Sequence, residues 1–513
     1  MITRLKVQGF KKLTNVDVKF GPFTCLAGVS GTGKSTLLEA IAFLSALSQG
    51  TFLDAAASLP CHDGTLAAIE NLFTFDGDGC ADRMSFEAEM VTPENGFDDY
   101  GMEVNAKNTF LLYRLTLGKR HDKSEGPPGL ELIEESLGHI SLSSASQHLR
   151  FPHKAAAWRY SAIRGRRSGG AFISTRTEDN NRFIELHTDG DGGGRPRSLF
   201  ASKLQRTVLS SVTSGENPTV LMAKREMQSW RRFLLEPPAL RKPVTLADPA
   251  ILSCNGLHLP SMIYQMNIIL GPKGRFEAES GAVNEHKDWI YCQLTNILKG
   301  FGFDVQEVKI CVENKTGGLE LVTLDSSGTP RSARFLPDGL CRLLALSAIS
   351  MDKRTHSLSC LDEPENGIHP GLIPLLVEIL QKSVVDVSKA VGSDNPLRQL
   401  IVTTYSPIFL SNVPDDCILV ADNMEVAGVK GQGNGVQFSS LPGTWRQKDD
   451  TECGIIEREM IFPAAGLPQQ TPAEQTLDDV KLRVGPRNAR KPDFDQQSQP
   501  TLPYGDLFKS SSS

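Results

Sequence analysis

No stretch of this 513-residue chain reaches the run of about 18 apolar residues that a membrane-crossing helix requires. The opening Met-Ile-Thr-Arg-Leu-Lys-Val has no basic segment leading into an apolar core, so no secretory signal is expected. Excess positive charge is missing too. Lysines and arginines number 54 against 60 aspartates and glutamates, a net charge of −6, so any nucleic-acid contact must come from a local basic patch. The 10 cysteines are scattered, with no Cys-x-x-Cys pair, which argues against a disulfide scaffold and a structural zinc site. Several lie in apolar runs and read as reduced core residues of a cytoplasmic protein. Repeats and heptads are absent, so no coiled-coil arm is expected. What is present is 40% apolar and 22% charged, an ordinary globular balance, in a chain long enough for roughly two to four domains.

The hydrophobic pattern changes period along the chain. Ile2, Leu5 and Val7, a turn near Gly9, then Val16, Val18 and Phe20 alternate as a strand hairpin does. Gly21-Pro22 breaks the pattern, Phe23-Thr24-Cys25-Leu26-Ala27 reads as a buried strand, and from Lys34 onward Leu37, Ile41 and Leu44 share one helical face. Residues 49–250 form an inserted, antiparallel β and helical region. It has β-like runs at Phe110 to Leu117, Leu130 to Glu135 and Phe183 to His187, and a helix expected over Val220 to Leu235. Strands at Val305 to Val312 and Leu319 to Leu324 follow. Then come a helix Gly339 to Met351, a strand Leu358 to Leu361, a helix around Leu372 to Leu380, and strands Leu400 to Thr404 and Cys417 to Val420. Buried strands alternating with amphipathic helices mark an α/β core with a mainly parallel sheet. The head is expected from residues 1–48 and 251–445, and the Pro-, Gln- and Ser-rich tail 446–513 is expected to be largely disordered.

Two motifs carry chemistry. Gly28-Val29-Ser30-Gly31-Thr32-Gly33-Lys34-Ser35 fits G-x-x-x-x-G-K-[ST] and sits between a strand and a helix. Its glycines let successive backbone N–H groups point at phosphates, Lys34 would bridge the β- and γ-phosphates, and Ser35 would bind Mg²⁺. The ATP-binding set is therefore Gly28, Ser30, Gly31, Thr32, Gly33, Lys34, Ser35 and Thr36. The apolar strand that runs into Asp362-Glu363-Pro364 supplies the second motif. Carboxylates at a strand's C-terminal edge lie on the same rim as the phosphate loop, with Asp362 a metal ligand and Glu363 the base that polarises water. Alone, such an acidic pair is ordinarily a solvated loop entry; beside a phosphate loop it reads as a site.

With these residues in place, the chain resembles the ABC-type ATPase heads of the RecF/SMC/OLD group, and within it the stand-alone AAA family ATPases of bacterial anti-phage systems. Leu5-Lys6-Val7-Gln8-Gly9-Phe10-Lys11-Lys12-Leu13 is similar to the family's first hairpin, and Pro337-Asp338-Gly339-Leu340-Cys341-Arg342 to its signature segment. Asp362 through Pro370 resembles its Walker B and D-loop, and Val402-Thr403-Thr404-Tyr405-Ser406-Pro407 stands in the place of its switch. The resemblance covers residues 1–45 and about 300–412. It implies a P-loop NTPase of ABC type with an N-terminal antiparallel β lobe, in which two heads sandwich ATP and Mg²⁺ as a homodimer or larger oligomer. Each nucleotide would meet the other subunit's Asp338 and Gly339 at a helix N-terminus; the plainer reading of these two is a turn with Asp338 as helix cap. Two departures stand out. Pro337 replaces the usual serine, and Tyr405 replaces the usual histidine, removing an imidazole that can change charge. Slow or partner-stimulated hydrolysis is expected, with Glu363, Lys34 and Tyr405 as the catalytic set.

Between Arg150 and Arg182 basic residues (Arg150, Lys154, Arg159, Arg164, Arg166, Arg167, Arg176) far outnumber acidic ones, and Trp158, Tyr160 and Phe172 are interleaved. Such a run is ordinarily a solvated loop; the sharper reading is a nucleic-acid contact. Three functions compete: a sensor or scaffold ATPase working with a separately encoded effector in anti-phage defence, a RecF-like ATPase acting directly on DNA, and the nucleotide-binding subunit of a transporter. The third lacks its Ser-Gly-Gly-Gln signature. Only about 70 poorly patterned residues follow Trp445, too few for a built-in nuclease core, so the effector is expected on another chain.

Overall fold

The computed structural model describes residues 1–60, 69–75, 80–120, 129–165, 170–179, 181–189, 194–270, 288–313, 317–352, 354, 358–427, 432–447 and 454–461. The first hairpin forms as its alternation demands. Ile2–Phe10 and Leu13–Lys19 pair antiparallel, with Leu5 opposite Val18 and Val7 opposite Val16, all buried. The first strand runs through Gly9 to Phe10, so the turn falls at Lys11 and Lys12, later than the sequence suggested.

This hairpin is one edge of an eight-stranded sheet. Next to Ile2–Phe10 lies Arg83–Val91, followed by Phe110–Arg120, Gly129–His139, Ile173–Glu178, Asn181–Leu186 and Arg197–Phe200. The strands of the segment expected as an insertion therefore extend the hairpin's own sheet.

The second sheet runs in the order Arg231–Phe233, Leu358–Asp362, Gln399–Thr404, Phe23–Ala27, Ile418–Ala427, Gln432–Ser440 and Gly454–Ile455. Its first five strands are mutually parallel. Every residue of Phe23–Ala27 and Gln399–Thr404 is buried, as fits parallel strands covered on both faces. Helix Lys34–Leu47 lies between the two sheets. Its Leu37, Leu38, Ile41 and Leu44 share one apolar core with Leu5 and Val7 of the hairpin and with Cys360 and Ile401 of the parallel sheet. Phe43 stacks on Phe10 at 5.6 Å and meets Phe86 at 5.9 Å. Truncating any of these buried leucines to alanine would cost about 2–5 kcal/mol. On the sheet's other face, Cys25, Leu361 and Val402 pack with helices Leu259–Leu270, Asp338–Met351 and Ile373–Lys382. Gln399 ties the two sheets together. Fully buried, it accepts from the Ile2 N–H and donates to the Ile2 and Gly21 carbonyls.

One element departs from its expected type. The helix expected through Leu235 ends at Gln228, and Arg231–Phe233 joins the parallel sheet with Arg232 opposite Cys360. A short apolar run has no period of its own strong enough to decide, and the free edge of Leu358–Asp362 captures it as a strand. The expected tail also divides. Arg446 is buried, donating to the Lys19 and Asp416 carbonyls, and Gly454–Ile455 adds a strand beside Ser439 and Ser440, while residues 462–513 lie outside the described residues.

Candidate nucleotide and metal site

The parallel sheet brings its loops to one rim. After Phe23–Ala27 the chain curls with φ of 142° at Gly28, 83° at Gly31 and 100° at Gly33, and helix Lys34–Leu47 starts at once. A side chain at Gly28 would meet the Ala421 carbonyl oxygen at 2.5 Å, so only glycine suits this close approach. Thr32 is buried and its hydroxyl donates to the Val29 carbonyl at 2.9 Å; Thr36 N–H bonds back to Gly33. Val29, Ser30 and Gly31 face solvent. Lys34 Nζ turns back onto the loop, donating to the Gly28 and Val29 carbonyls at 2.8 and 2.7 Å. Burial lowers its pKa, partly offset by Glu363 and Asp362 nearby. Those carbonyl bonds hold the ammonium where a triphosphate would relieve its desolvation.

Asp362, 327 residues beyond Ser35, arrives at the same place. Its Oδ1 accepts from the Ser35 hydroxyl at 3.0 Å and from the Thr403 hydroxyl at 2.6 Å. Its Oδ2 takes Arg232 at 2.7 Å. Ser35 and Asp362 offer hard oxygen donors of the kind Mg²⁺ selects, and the open phosphate loop beside them could supply the remaining ligands from a bound nucleotide. The residues fit the metal. Among the described residues no group of three or more His, Cys, Asp or Glu side chains could hold a metal ion by itself.

Glu363 has φ of 49°, a left-handed conformation that a non-glycine residue adopts at a cost of about 1–3 kcal/mol. Its N–H donates to Thr403, and Asn366 Nδ2 donates to its Oε2 at 2.8 Å. The Tyr405 hydroxyl in turn donates to Asn366 Oδ1 at 3.1 Å. Asn366 thus links Tyr405 to the acid at the strand tip. Glu365, behind them, is buried; Thr404 donates to its Oε1, its Oε2 has no partner, and burial pushes its pKa up to about 7.

The signature segment is built differently from its plainest reading. Pro337, not Asp338, occupies the cap of helix Asp338–Met351, and the Asp338 carboxylate pairs with Arg241, which also donates to the Leu336 carbonyl. A side chain at Gly339 would lie 2.5 Å from the Gly367 carbonyl, so the helix start rests directly on the loop after the acidic strand. Three members of the basic run are paired with carboxylates. Arg164 pairs with Glu94, Arg176 with Glu185 and Glu178, and Arg182 with Glu131, while Arg166 and Arg167 lie outside the described residues.

Sequence reasoning missed several residues here. Arg232 bridges Asp362 and Glu39, Lys11 pairs with Glu39 at 2.7 Å, and Lys12 donates to the Gly31 carbonyl at 2.8 Å. The one available signal was a charged pair, Arg231-Arg232, inside an otherwise apolar run.

A phosphate loop and an acidic strand tip sharing the rim of a parallel sheet, with the start of helix Asp338–Met351 resting on the next loop, define a P-loop ATPase. Residues 153–411 match the family described as "AAA domain, putative AbiEii toxin, Type IV TA system", and residues 4–49 match a second AAA-domain family. The chain belongs to the first of these, a family of AAA-domain ATPases, which use nucleotide and ordinarily Mg²⁺. No curated protein matches it. Among solved structures it is similar to an Smc head bound to the C-winged helix domain of ScpA, at 13% identity, covering 86% of this chain and 98% of that one, with a TM-score of 0.43. An Smc head with extended coiled coil bound to the C-terminal domain of ScpA, from Pyrococcus furiosus, matches at 13% identity, over 86% and 96% of the two chains, TM-score 0.37. The SMC head domain from Thermotoga maritima follows at 11% identity, over 85% and 97%, TM-score 0.32. No helix among the described residues is long and apolar enough to cross a membrane.

Proposed function

We propose that this ATPase hydrolyses ATP slowly and acts in the cytoplasm as a nucleotide-gated sensor or scaffold for a separately encoded effector in anti-phage defence. Two copies would close around ATP, each offering Asp338 and Gly339 to the nucleotide held by its partner. The defence role draws on the anti-phage ATPases that the motifs resemble and on the toxin–antitoxin wording of the matching family's description. Direct action on DNA would lean on the 150–182 arginines, several of which are already bound to carboxylates.

The observation that carries the catalytic reading is the Ser35–Asp362 contact at the mouth of the phosphate loop, with the strained Glu363 next to it. Lys34 would exchange the Gly28 and Val29 carbonyls for phosphate oxygens. Ser35 and Asp362 would hold Mg²⁺, which when bound offsets phosphate charge. Glu363 would accept the proton of the attacking water. In the present arrangement its Oε2 is bound to Asn366, which Tyr405 braces from the solvent side, and this engaged acid supports slow turnover. Replacing Glu363 by Gln should preserve ATP binding, abolish turnover and accumulate a nucleotide-dependent dimer visible by light scattering. Wild-type hydrolysis in that variant would remove Glu363 from the role of base.

A further inference from the structure

Asp362 has a basic neighbour that the catalytic reading leaves unused. Its Oδ1 is occupied by two hydroxyls and its Oδ2 by Arg232, in a pair whose side chains are only 7% and 15% exposed. The guanidinium straddles two carboxylates, with one terminal nitrogen 2.7 Å from Asp362 and the other 3.1 Å from Glu39. Glu39, on the helix that starts at the phosphate loop, is held on its far oxygen by Lys11. Arg232 Nε is buried and has no partner. Removal from water alone would lower this arginine's pKa, but its hydrogen bonds and charge contacts with Asp362 and Glu39 together outweigh that.

From this geometry we infer that Arg232 is a positioning residue that tunes divalent-metal affinity by serving as the counter-cation of Asp362 and shifting toward Glu39 when a metal ion takes its place. The inference rests on the reading of Ser35 and Asp362 as metal holders. The physical reason is competition for charge. Two cations on one half-buried carboxylate repel strongly where water screens little. Glu39 gives the guanidinium a carboxylate to stay paired with when the Asp362 contact is lost, so its buried charge is not left uncompensated. The strand that carries Arg232 ends the long segment leading from the eight-stranded sheet, so movement of that segment would reach the metal carboxylate directly.

The test uses the full-length protein and a fluorescent ATP analogue, with Mg²⁺ titrated upward from EDTA and binding read by anisotropy. Arg232→Met should lower the half-saturating Mg²⁺ at least fivefold. A residue that merely braces Asp362 would have the opposite effect, since its loss would leave the carboxylate badly placed. Glu39→Gln should raise the midpoint by confining Arg232 to Asp362, and the gain from Arg232→Met should be larger in the Glu39→Gln background than alone. General charge effects without a shared arginine would add independently. An Arg232→Met midpoint that stays put or rises overturns the inference, as does strict additivity of the pair. Asp362→Asn separates the two levels. If it leaves the Mg²⁺ dependence intact, the metal reading itself fails; if it abolishes that dependence while Arg232→Met changes nothing, only the role of Arg232 falls.

Discussion

Glu365 makes the stability of this protein depend on pH in a direction that can be worked out in advance. It is buried, its Oε1 takes the Thr404 hydroxyl, and its Oε2 has no partner. Burial is the main reason its pKa rises from 4.5 to about 7; Glu363 adds to the rise, while Thr404 and Lys34 oppose it. Because the folded-state value lies above the unfolded one, the native protein binds more protons between these two values, and stability must fall as pH rises through that window. The fall is complete above the folded pKa, and the penalty there is roughly 3 kcal/mol from a shift of this size. Glu365→Gln keeps the shape and an acceptor for Thr404 but cannot ionise. It should match wild type near pH 4.5 and exceed it by roughly 2–3 kcal/mol at pH 8. Urea denaturation at pH 4.5, 6, 7 and 8 reads this directly, and Glu135→Gln serves as a second probe because burial also pushes Glu135 up to about 7. Parallel pH profiles for wild type and Glu365→Gln would refute the reasoning, since they would mean that Glu365 is already ionised in the folded protein at no cost.

Other expectations follow from the same contacts. Lys34→Ala removes a side chain whose bonds go to its own loop, so the fold should survive while ATP affinity falls at least tenfold in an equilibrium binding assay; unchanged affinity would make the loop vestigial. Tyr405→His should raise steady-state phosphate release several-fold if the tyrosine slows turnover, and equal or lower release would show that position 405 does not limit it. Gln399→Ala strips three bonds from buried backbone groups and should cost about 3–5 kcal/mol by thermal or urea unfolding; a loss under about 1 kcal/mol would mean that water replaces them.

Much of the site was legible before any fold. The G-x-x-x-x-G-K-S spacing locates the phosphate loop because only glycines allow its positive φ angles, and the apolar strand ending in Asp362-Glu363 announces carboxylates at a sheet edge. The hairpin at residues 2–19 and helix Lys34–Leu47 follow from periods of two and 3.6 that persist long enough to be unambiguous. Asn366 and Thr403 sat within quoted motifs, but nothing local says that one reaches Glu363 and the other Asp362.

The sequence by itself determined the phosphate-loop and acidic-strand pattern, because backbone curvature and the donor chemistry of side chains are properties of residue type and short spacing. Tertiary structure alone decided what surrounds that chemistry. Arg231–Phe233 is a strand because Leu358–Asp362 had an open edge, not because of any period of its own, and only that pairing puts Arg232 on Asp362. The same holds for the segment read as an insertion, whose strands continue the first hairpin's sheet through hydrogen bonds between residues far apart in the chain. Pairing of this kind depends on which edges and charges remain unsatisfied once the core has closed, and short-range pattern does not encode that.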